Sequence, residues 1–229
     1  MVTALLLSGG TGTRMGINTP KQYIEVKGRP IIFYCLQTLL SHEKIDAVQI
    51  VADPMWRDMI LGYMKQLQND RFRGFSAPGE NRQLSILNGL EDIRKYAEES
   101  DVVLIHDAAR PLLSADMITA CLEAAAGHDG VLPVLPMKDT VYYSEDGRRV
   151  SSLLERARIF AGQAPEAFVL GKYYEANRKL LPEHILQING STEPAILAGL
   201  DIAMIPGDEG NFKITTKADL ERFQERVGL

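Results

Sequence analysis

The residues with the clearest chemical potential are glycines that directly follow a short apolar run. Residues 4–7 are apolar and predict a buried strand, and the segment GGTGTRMG follows at residues 9–16. Glycines in this position let the backbone approach a phosphate group and direct N–H groups at it. Arg14 and, within the segment PKQY, Lys21 could neutralise phosphate charge. The sequence therefore predicts a phosphate-binding loop, with a plain strand-to-helix turn as the less favoured alternative.

Spacing excludes two common phosphate loops. The Walker A loop requires Gly-Lys-Ser or Gly-Lys-Thr, and neither occurs in the sequence. The dinucleotide fingerprint GxGxxG requires a third glycine where this sequence has Met15. An NAD-binding oxidoreductase is therefore excluded.

The segment HDAARP at residues 106–111 is a second candidate site. It follows an apolar run at residues 102–105, and ligands of open α/β sheets bind beyond the carboxyl ends of the strands. We expect Asp107 to be a Mg²⁺ ligand there, since Mg²⁺ takes one or two carboxylates together with substrate phosphates. His106 is interpreted as structural, because the further ligands of a His-Asp phosphohydrolase site are not suitably placed in the sequence.

Short apolar runs alternate with longer helical patterns. Strands are predicted at residues 4–7, 47–52, 102–106, 130–135 and 202–205. Helices are predicted at residues 30–40, 54–67, 84–96, 114–126, 171–180, 193–200 and 218–227. Ser114 is a plausible N-cap, and Pro133 suggests a bulge or an edge strand. The alternation predicts an α/β fold with a Rossmann-like, mostly parallel sheet and helices on both faces.

Residues 137–160 break this alternation. They are polar and charged, and Asp146-Gly147 between short β-like runs predicts a hairpin. We expect a single domain over residues 1–229 with this segment projecting from it as a β-arm. A polar hairpin of this size is marginal by itself. The arm therefore predicts a homodimer in which arms are exchanged between subunits.

Composition limits the classes of partner. The 229 residues carry a formal net charge of -5, which argues against binding to nucleic acid or to an anionic membrane. Cys35 and Cys121 are far apart and predict two buried thiols in a reducing compartment. With no apolar run long enough to cross a membrane and no basic leader, we expect a cytoplasmic protein.

Several segments together resemble one enzyme family. GGTGTRMG, PKQY and HDAARP are similar to segments of the cytidylyltransferases that act on 2-C-methyl-D-erythritol 4-phosphate, and of the related ribitol 5-phosphate enzymes. The segment at residues 79–90 and the segment GNFKITT at residues 210–216 extend the resemblance along nearly the whole chain. It implies the nucleotide-diphospho-sugar transferase fold and transfer of CMP from CTP to a small polyol phosphate.

The resemblance also implies roles for individual residues, with Mg²⁺ held by Asp107. The implied catalytic cations are Arg14, Lys21 and Lys213. The implied nucleotide-binding residues are Ser8, Gly9, Gly10, Gly12, Gly79, Ser85 and Ala108. The implied acceptor-binding residues are Arg110, Thr140 and Arg156, the last reaching the partner subunit's site, with Arg158 close enough to compete.

Two departures from the family pattern leave the acceptor open. Residues 163–166 read QAPE where the family usually has QTPQ, and Asn189-Gly190 stands where an ungapped count places a Thr-Asp pair. Ala109 favours 2-C-methyl-D-erythritol 4-phosphate, whereas the lost pair and residues 53–56 favour ribitol 5-phosphate. A nonenzymatic nucleotide-binding paralogue is a further alternative, against which the retained charged residues argue.

Overall fold

The computed structural model describes residues 1–10, 19–68 and 70–228. Its helices are α1 Ile31–Ser41, α2 Pro54–Gln66, α3 Arg82–Ile93, α4 Ala115–Ala124, α5 Leu170–Arg178, α6 Glu193–Leu197 and α7 Lys217–Gly228. Its strands are β1 Val2–Leu7, β2 Glu25–Val26, β3 Arg29–Pro30, β4 Ala47–Val51, β5 Phe72–Ser76, β6 Val102–Asp107, β7 Gly130–Pro136, β8 Tyr142–Tyr143, β9 Ser152–Leu153, β10 Phe160–Gly162, β11 Glu166–Val169 and β12 Ile202–Pro206.

A central eight-stranded sheet organises the chain. Its order is β5, β4, β1, β6, β11 and β7, and β7 pairs also with β10 and β12. The pairs β1–β4, β1–β6, β4–β5 and β7–β12 are parallel, whereas β10 and β11 run antiparallel to their neighbours. The predicted mostly parallel sheet is confirmed.

Helices cover both faces of the sheet because successive strand residues point to opposite sides. In β1, Ala4 and Leu6 pack into a core with residues of α1, α2 and α4. Leu5, between them, packs into a second core with residues of α3 and α5. A smaller cluster centred on Phe223 attaches α7 beside α1. The sheet is therefore buried on both faces, and polar chemistry is left to the strand ends.

The strand β7 corrects one of the two sequence expectations for Pro133, the edge strand. Pro133 does not lie in an edge strand, because it pairs with Ile205 of β12 while β10 and β11 occupy the other neighbouring position. A proline cannot donate a ladder hydrogen bond. Pro133 lies between the part of β7 that pairs with β10 and the part that pairs with β11, so no ladder donor is needed from it. The Gln163 N–H, between β10 and β11, donates to the Pro133 carbonyl at 2.8 Å.

The predicted hairpin within residues 137–160 is confirmed. β8 and β9 form a separate antiparallel pair, and Asp146 holds the turn by accepting from the N–H groups of Arg148 and Arg149. Gly147 has a φ of 68°, a left-handed conformation that favours glycine. Apolar side chains of the arm are exposed, with Val150 at 66% and Leu153 at 65%. The arm therefore presents apolar surface that the subunit itself does not cover.

The two cysteines and the start of α4 agree with the sequence predictions. Cys35 and Cys121 are both free and buried, as predicted. Ser114 caps α4, since its side chain accepts from the Met117 N–H. Among the described residues, the helices are too short or too polar to cross a membrane.

Candidate active site

A cavity of about 510 Å³ opens at the carboxyl edge of the parallel strands. It lies where β1 and β6 end, and Leu7 and Asp107 are register partners in those strands. The residues lining it are Leu7, Gly9, Gly10, Lys21, Gln22, Gly79, Glu80, Asn81, Arg82, Ser85, Asp107, Ala109, Lys213 and Thr215. The loops after β1, β5 and β6, which are distant in sequence, therefore form one site.

The loop after β1 forms one wall. A side chain at position 9 would place its Cβ 2.7 Å from the Cβ of Pro78, so only glycine allows this approach. Gly10 is exposed beside it, and both glycines line the cavity. Ser8 is buried beneath them, and its hydroxyl donates to the Tyr23 hydroxyl at 2.8 Å. The predicted Gly12 and Arg14 lie outside the described residues.

The N-terminus of α3 forms the opposite wall. Asn81 caps the helix by accepting from the Leu84 N–H at 2.8 Å. The Ser85 hydroxyl accepts from the Gly79 N–H and donates to the Asn81 carbonyl, both at 2.9 Å. A Cβ at position 79 would lie 2.7 Å from the backbone nitrogen of Ser85, so this turn requires glycine. A capped helix N-terminus at the cavity favours an anionic ligand.

Asp107 is the centre of a compact ion cluster. Its Oδ1 accepts from Arg82 Nη2 at 2.9 Å and Arg82 Nε at 3.2 Å, and its Oδ2 accepts from Lys213 Nζ at 2.8 Å. Arg110 Nε lies 3.9 Å from the same Oδ2. Burial by itself raises the pKa of Asp107, but the charges of Arg82 and Lys213 outweigh it and hold that pKa well below its usual range. The carboxylate is therefore ionised throughout the physiological pH range.

Local contacts place Lys213 in this cluster. The Ile214 N–H donates to the Ala109 carbonyl at 2.8 Å, which ties the segment to the end of β6. Asp219 at the start of α7 accepts from the backbone N–H groups and hydroxyls of Thr215 and Thr216. These bonds lower the pKa of Asp219 to about 2, although burial opposes the shift. The segment carrying Lys213 is thus held at both ends.

His106 is structural, as the sequence indicated. It is fully buried, and its Nε2 lies 3.0 Å from the Arg110 carbonyl, an arrangement in which the ring donates to that oxygen. Burial lowers the pKa of His106 to about 4. The ring is therefore neutral at pH 7.

The buried imidazole predicts a specific pH dependence of stability. The unfolded chain protonates this histidine near pH 6.5, whereas the folded protein does so only near pH 4. The contribution of neutral His106 to the free energy of unfolding is therefore fully present above pH 6.5. It falls as the pH falls toward 4, by about 2 kcal/mol between pH 7.5 and 5.0. Urea unfolding of His106→Gln at pH 7.5 and 5.0 should show a smaller loss of unfolding free energy between the two pH values, that is, a smaller slope against pH, than the wild type shows. The exposed His184→Gln should retain it, and equal slopes in wild type and His106→Gln would contradict the assignment.

Some predicted residues lie beside the cavity rather than on its wall. Ala108 is fully buried, whereas Ala109 lines the cavity. Arg110 donates to the Asn211 carbonyl at 2.8 Å, and burial lowers its pKa. Thr140 and Arg156 are exposed on the arm, where Arg156 donates to the Lys138 carbonyl at 2.7 Å. Arg158 is exposed nearby and pairs with Glu155 at 3.1 Å.

Sequence reasoning missed Arg82 and Glu166. Arg82 is the first residue of α3 and contacts Asp107 across 25 positions of sequence. Glu166 is buried at the start of β11, and burial raises its pKa against the influence of Arg82. Its Oε2 accepts from the Ser191 hydroxyl. This contact joins residues 163–166, which depart from the family pattern, to the residue directly after Asn189-Gly190.

Asp107 could hold a metal ion only together with an anionic ligand. Each carboxylate oxygen has lone pairs beyond those used by Arg82 and Lys213. Within the described ranges there is no group of three His, Cys, Asp or Glu residues that could bind a metal by themselves. One carboxylate plus substrate phosphates suits Mg²⁺. Because three cations surround Asp107, the residues fit a Mg²⁺ ion that arrives bound to a polyphosphate.

The fold is that of the nucleotidyltransferases. The crystal structure of 4-diphosphocytidyl-2C-methyl-D-erythritol synthase from Anaerococcus prevotii matches the chain with a TM-score of 0.85. The match covers 100% of this chain and 96% of that one at 23% identity, which establishes the shared fold. The family model for 2-C-methyl-D-erythritol 4-phosphate cytidylyltransferase matches residues 2–227. The chain belongs to this family and is a CTP-dependent cytidylyltransferase.

Related proteins carry two different acceptor names. Ribitol-5-phosphate cytidylyltransferase of Streptococcus agalactiae serotype V is 30% identical over 98% of this chain and 94% of that protein. 2-C-methyl-D-erythritol 4-phosphate cytidylyltransferase of Clostridium beijerinckii is 32% identical over 96% of this chain and 95% of that protein. A bifunctional enzyme IspD/IspF of Bradyrhizobium diazoefficiens is 33% identical over 97% of this chain, which spans only 55% of its length. The resemblance noted in the sequence is confirmed.

Proposed function

We propose that the enzyme transfers CMP from CTP to 2-C-methyl-D-erythritol 4-phosphate and releases pyrophosphate. The observation that carries the proposal is the convergence of Lys21, Arg82 and Lys213 on one glycine-lined cavity around Asp107. A nucleoside triphosphate and a phosphate monoester repel each other, so a site that joins them must bring cations from several segments.

The reaction needs positioning more than proton transfer. The second pKa of a phosphate monoester is near 6, so the acceptor oxygen is already anionic at pH 7. That oxygen attacks the α-phosphorus of CTP, and the bond from this phosphorus to the oxygen bridging the α- and β-phosphates breaks. The electron pair leaves with pyrophosphate. In-line alignment and charge neutralisation therefore supply the catalysis.

Each wall of the cavity has a proposed part in this step. Backbone N–H groups of Gly9 and Gly10 bind phosphate oxygens, together with Gly12 of the same loop. Lys21, Lys213 and Arg14 neutralise the charge that develops on the α-phosphate and the departing pyrophosphate. Gly79, just before α3, and Ser85, in the first turn of α3, hold the cytosine and ribose.

Asp107 has two proposed parts. It fixes Arg82 and Lys213 through its two oxygens, and it would supply one carboxylate ligand to a Mg²⁺ ion bound to the triphosphate. The ion, when bound, neutralises phosphate charge as a Lewis acid. Both parts require the low pKa of Asp107, because only the carboxylate binds these cations.

Ribitol 5-phosphate is the second candidate acceptor. Relatives of similar identity and coverage carry either acceptor in their names. In addition, the buried contact between Glu166 and Ser191 joins the altered residues 163–166 to the residue directly after Asn189-Gly190, the second departure from the erythritol pattern. An altered pair of neighbouring segments favours a change in what the site accepts.

An acceptor panel tests the proposal. With CTP and Mg²⁺, pyrophosphate release should be fastest with 2-C-methyl-D-erythritol 4-phosphate, by at least about 100-fold in kcat/KM over ribitol, glycerol and arabitol phosphates. ATP, GTP and UTP with the preferred acceptor serve as controls for the nucleotide. A preference for ribitol 5-phosphate would replace the first acceptor by the second. The absence of turnover with every acceptor of the panel would contradict both candidate acceptors.

We further propose that the active site is completed by the arm of a second subunit. Thr140 and Arg156 lie on the exposed arm, outside the residues that line the cavity of their own chain. The arm also exposes Tyr142, Tyr143 and Leu153. In a two-fold dimer the same surface meets itself, so each arm would cover apolar surface and deliver Arg156 to the other cavity.

A further inference from the structure

The side-chain amide of Gln22 binds two backbone carbonyls directly after β1, those of Ser8 and Gly10. Its Nε2 donates to the Ser8 carbonyl at 2.8 Å and to the Gly10 carbonyl at 2.7 Å. Gln22 is 3% exposed and sits in a single helical turn, Lys21–Tyr23, that also carries a cavity lysine. Both N–H bonds of one amide are thus used on alternate carbonyls of the glycine loop.

These two hydrogen bonds matter because a loop that binds phosphate must direct its carbonyl oxygens away from the ligand. A carbonyl oxygen carries partial negative charge and would repel a triphosphate. The peptide unit is planar, so its carbonyl and its N–H point in opposite directions. Holding the Ser8 carbonyl on Gln22 therefore fixes the direction of the Gly9 N–H. Glycine has no side chain to restrict this peptide, so an external contact is needed to fix it.

Tyr23 makes a further contact with Ser8. Its hydroxyl donates to the Ser8 carbonyl at 2.9 Å, and burial raises its pKa, which keeps the donor proton in place. The Tyr23 ring stacks on Trp56 of α2 with 4.3 Å between ring centroids. The loop is therefore tied through Tyr23 to a helix that does not line the cavity.

We propose that Gln22 is a positioning residue that presents the glycine loop to the phosphates of CTP. It carries no charge and donates to the backbone of its own chain, so its effect passes through the loop rather than through direct neutralisation. The inference concerns the nucleotide and is independent of which polyol phosphate accepts CMP.

Gln22→Met tests this directly, because methionine has similar length and no hydrogen-bond donor. Isothermal titration with CTP and Mg²⁺ should give a Kd raised about 10- to 100-fold, because CTP must then order peptides that two buried hydrogen bonds hold in the free protein. Gln22→Glu should weaken binding further, since it sets a carboxylate against two carbonyls and the triphosphate. In steady-state assays the KM for CTP should rise while the KM for the acceptor stays within about threefold, a split that general destabilisation would not produce.

Two further variants keep the result interpretable. Gln66→Glu makes the same change as Gln22→Glu, but at an exposed position of α2, and this variant should bind CTP as the wild type does. Tyr23→Phe keeps the ring stack and removes one donor, so it should raise the Kd about 3- to 10-fold even if Gln22→Met folds poorly. Values of Kd within threefold of wild type for Gln22→Met, or for Gln22→Glu where only that variant folds, would overturn the role of Gln22. Failure of the wild type to bind CTP would overturn the nucleotide site as well.

Discussion

Replacing Asp107 with asparagine is expected to lower kcat/KM on the order of 1,000-fold. Asparagine preserves the shape but removes the charge that Arg82 and Lys213 share. Its amide NH2 would also replace one of the two accepting oxygens, so N–H donors would face either Arg82 or Lys213. Three cations would then remain without their buried counter-charge, so they would repel one another and leave the positions that catalysis needs. Pyrophosphate release with CTP and the preferred acceptor measures the loss.

Companion variants distinguish the two parts proposed for Asp107. Arg82→Gln and Lys213→Gln should each lower kcat/KM on the order of 100-fold, and combining either with Asp107→Asn should cost less than the product of the single effects, because the three act as a unit. Excess Mg²⁺ should restore only part of the activity of Asp107→Asn. Asp92→Asn removes a half-buried surface carboxylate paired with Lys95 at 2.6 Å, remote from the cavity lining, and should retain full activity. Activity of Asp107→Asn within tenfold of wild type would contradict the ion cluster as the catalytic centre.

The strands that position this cluster were predictable where their residues are mainly apolar. β1, β4 and β6 are buried along most of their length, so apolar residues predominate in them, with Thr3 and Gln49 as polar exceptions inside β1 and β4. β5 was missed because its residues, FRGFS, include an arginine and a glycine, and because it pairs with β4 alone. β11 was missed because it is four residues long and begins with the buried Glu166. Both cases reflect tertiary contacts that override local pattern.

The site was predictable as a set of residues but not as a network. Asp107 and Lys213 were recognisable from the segments that carry them, although 106 positions separate them and their 2.8 Å contact depends on the fold. Arg82 follows Asn81, a helix N-cap that propensity can identify, yet nothing local indicates that its guanidinium reaches β6. Ion pairs between distant segments need the three-dimensional structure, because charge in a sequence carries no information about its partner.

Two inactive variants, Lys213→Met and Arg156→Ala, are expected to regain activity when their subunits are exchanged. Lys213 lies in the cavity of its own chain, whereas Arg156 lies on the arm. If each arm serves the other subunit, a mixed dimer has one site with both lesions and one site with neither. Random exchange makes half of the dimers mixed, so activity should return to about a quarter of the wild-type value.

The same experiment identifies the arginine that crosses to the partner. Arg158→Ala, mixed with Lys213→Met, should behave differently from Arg156→Ala, because Arg158 pairs with Glu155 on its own arm and its loss should leave the homodimer active. Arg148→Ala, at the exposed arm turn, is the matched control for removing an arginine from this hairpin. Subunit exchange is verified with differently tagged chains. If tagged chains exchange and activity stays at the level of the separate variants, Arg156 serves its own subunit or no site at all, since a residue acting in trans must complement in a mixed dimer.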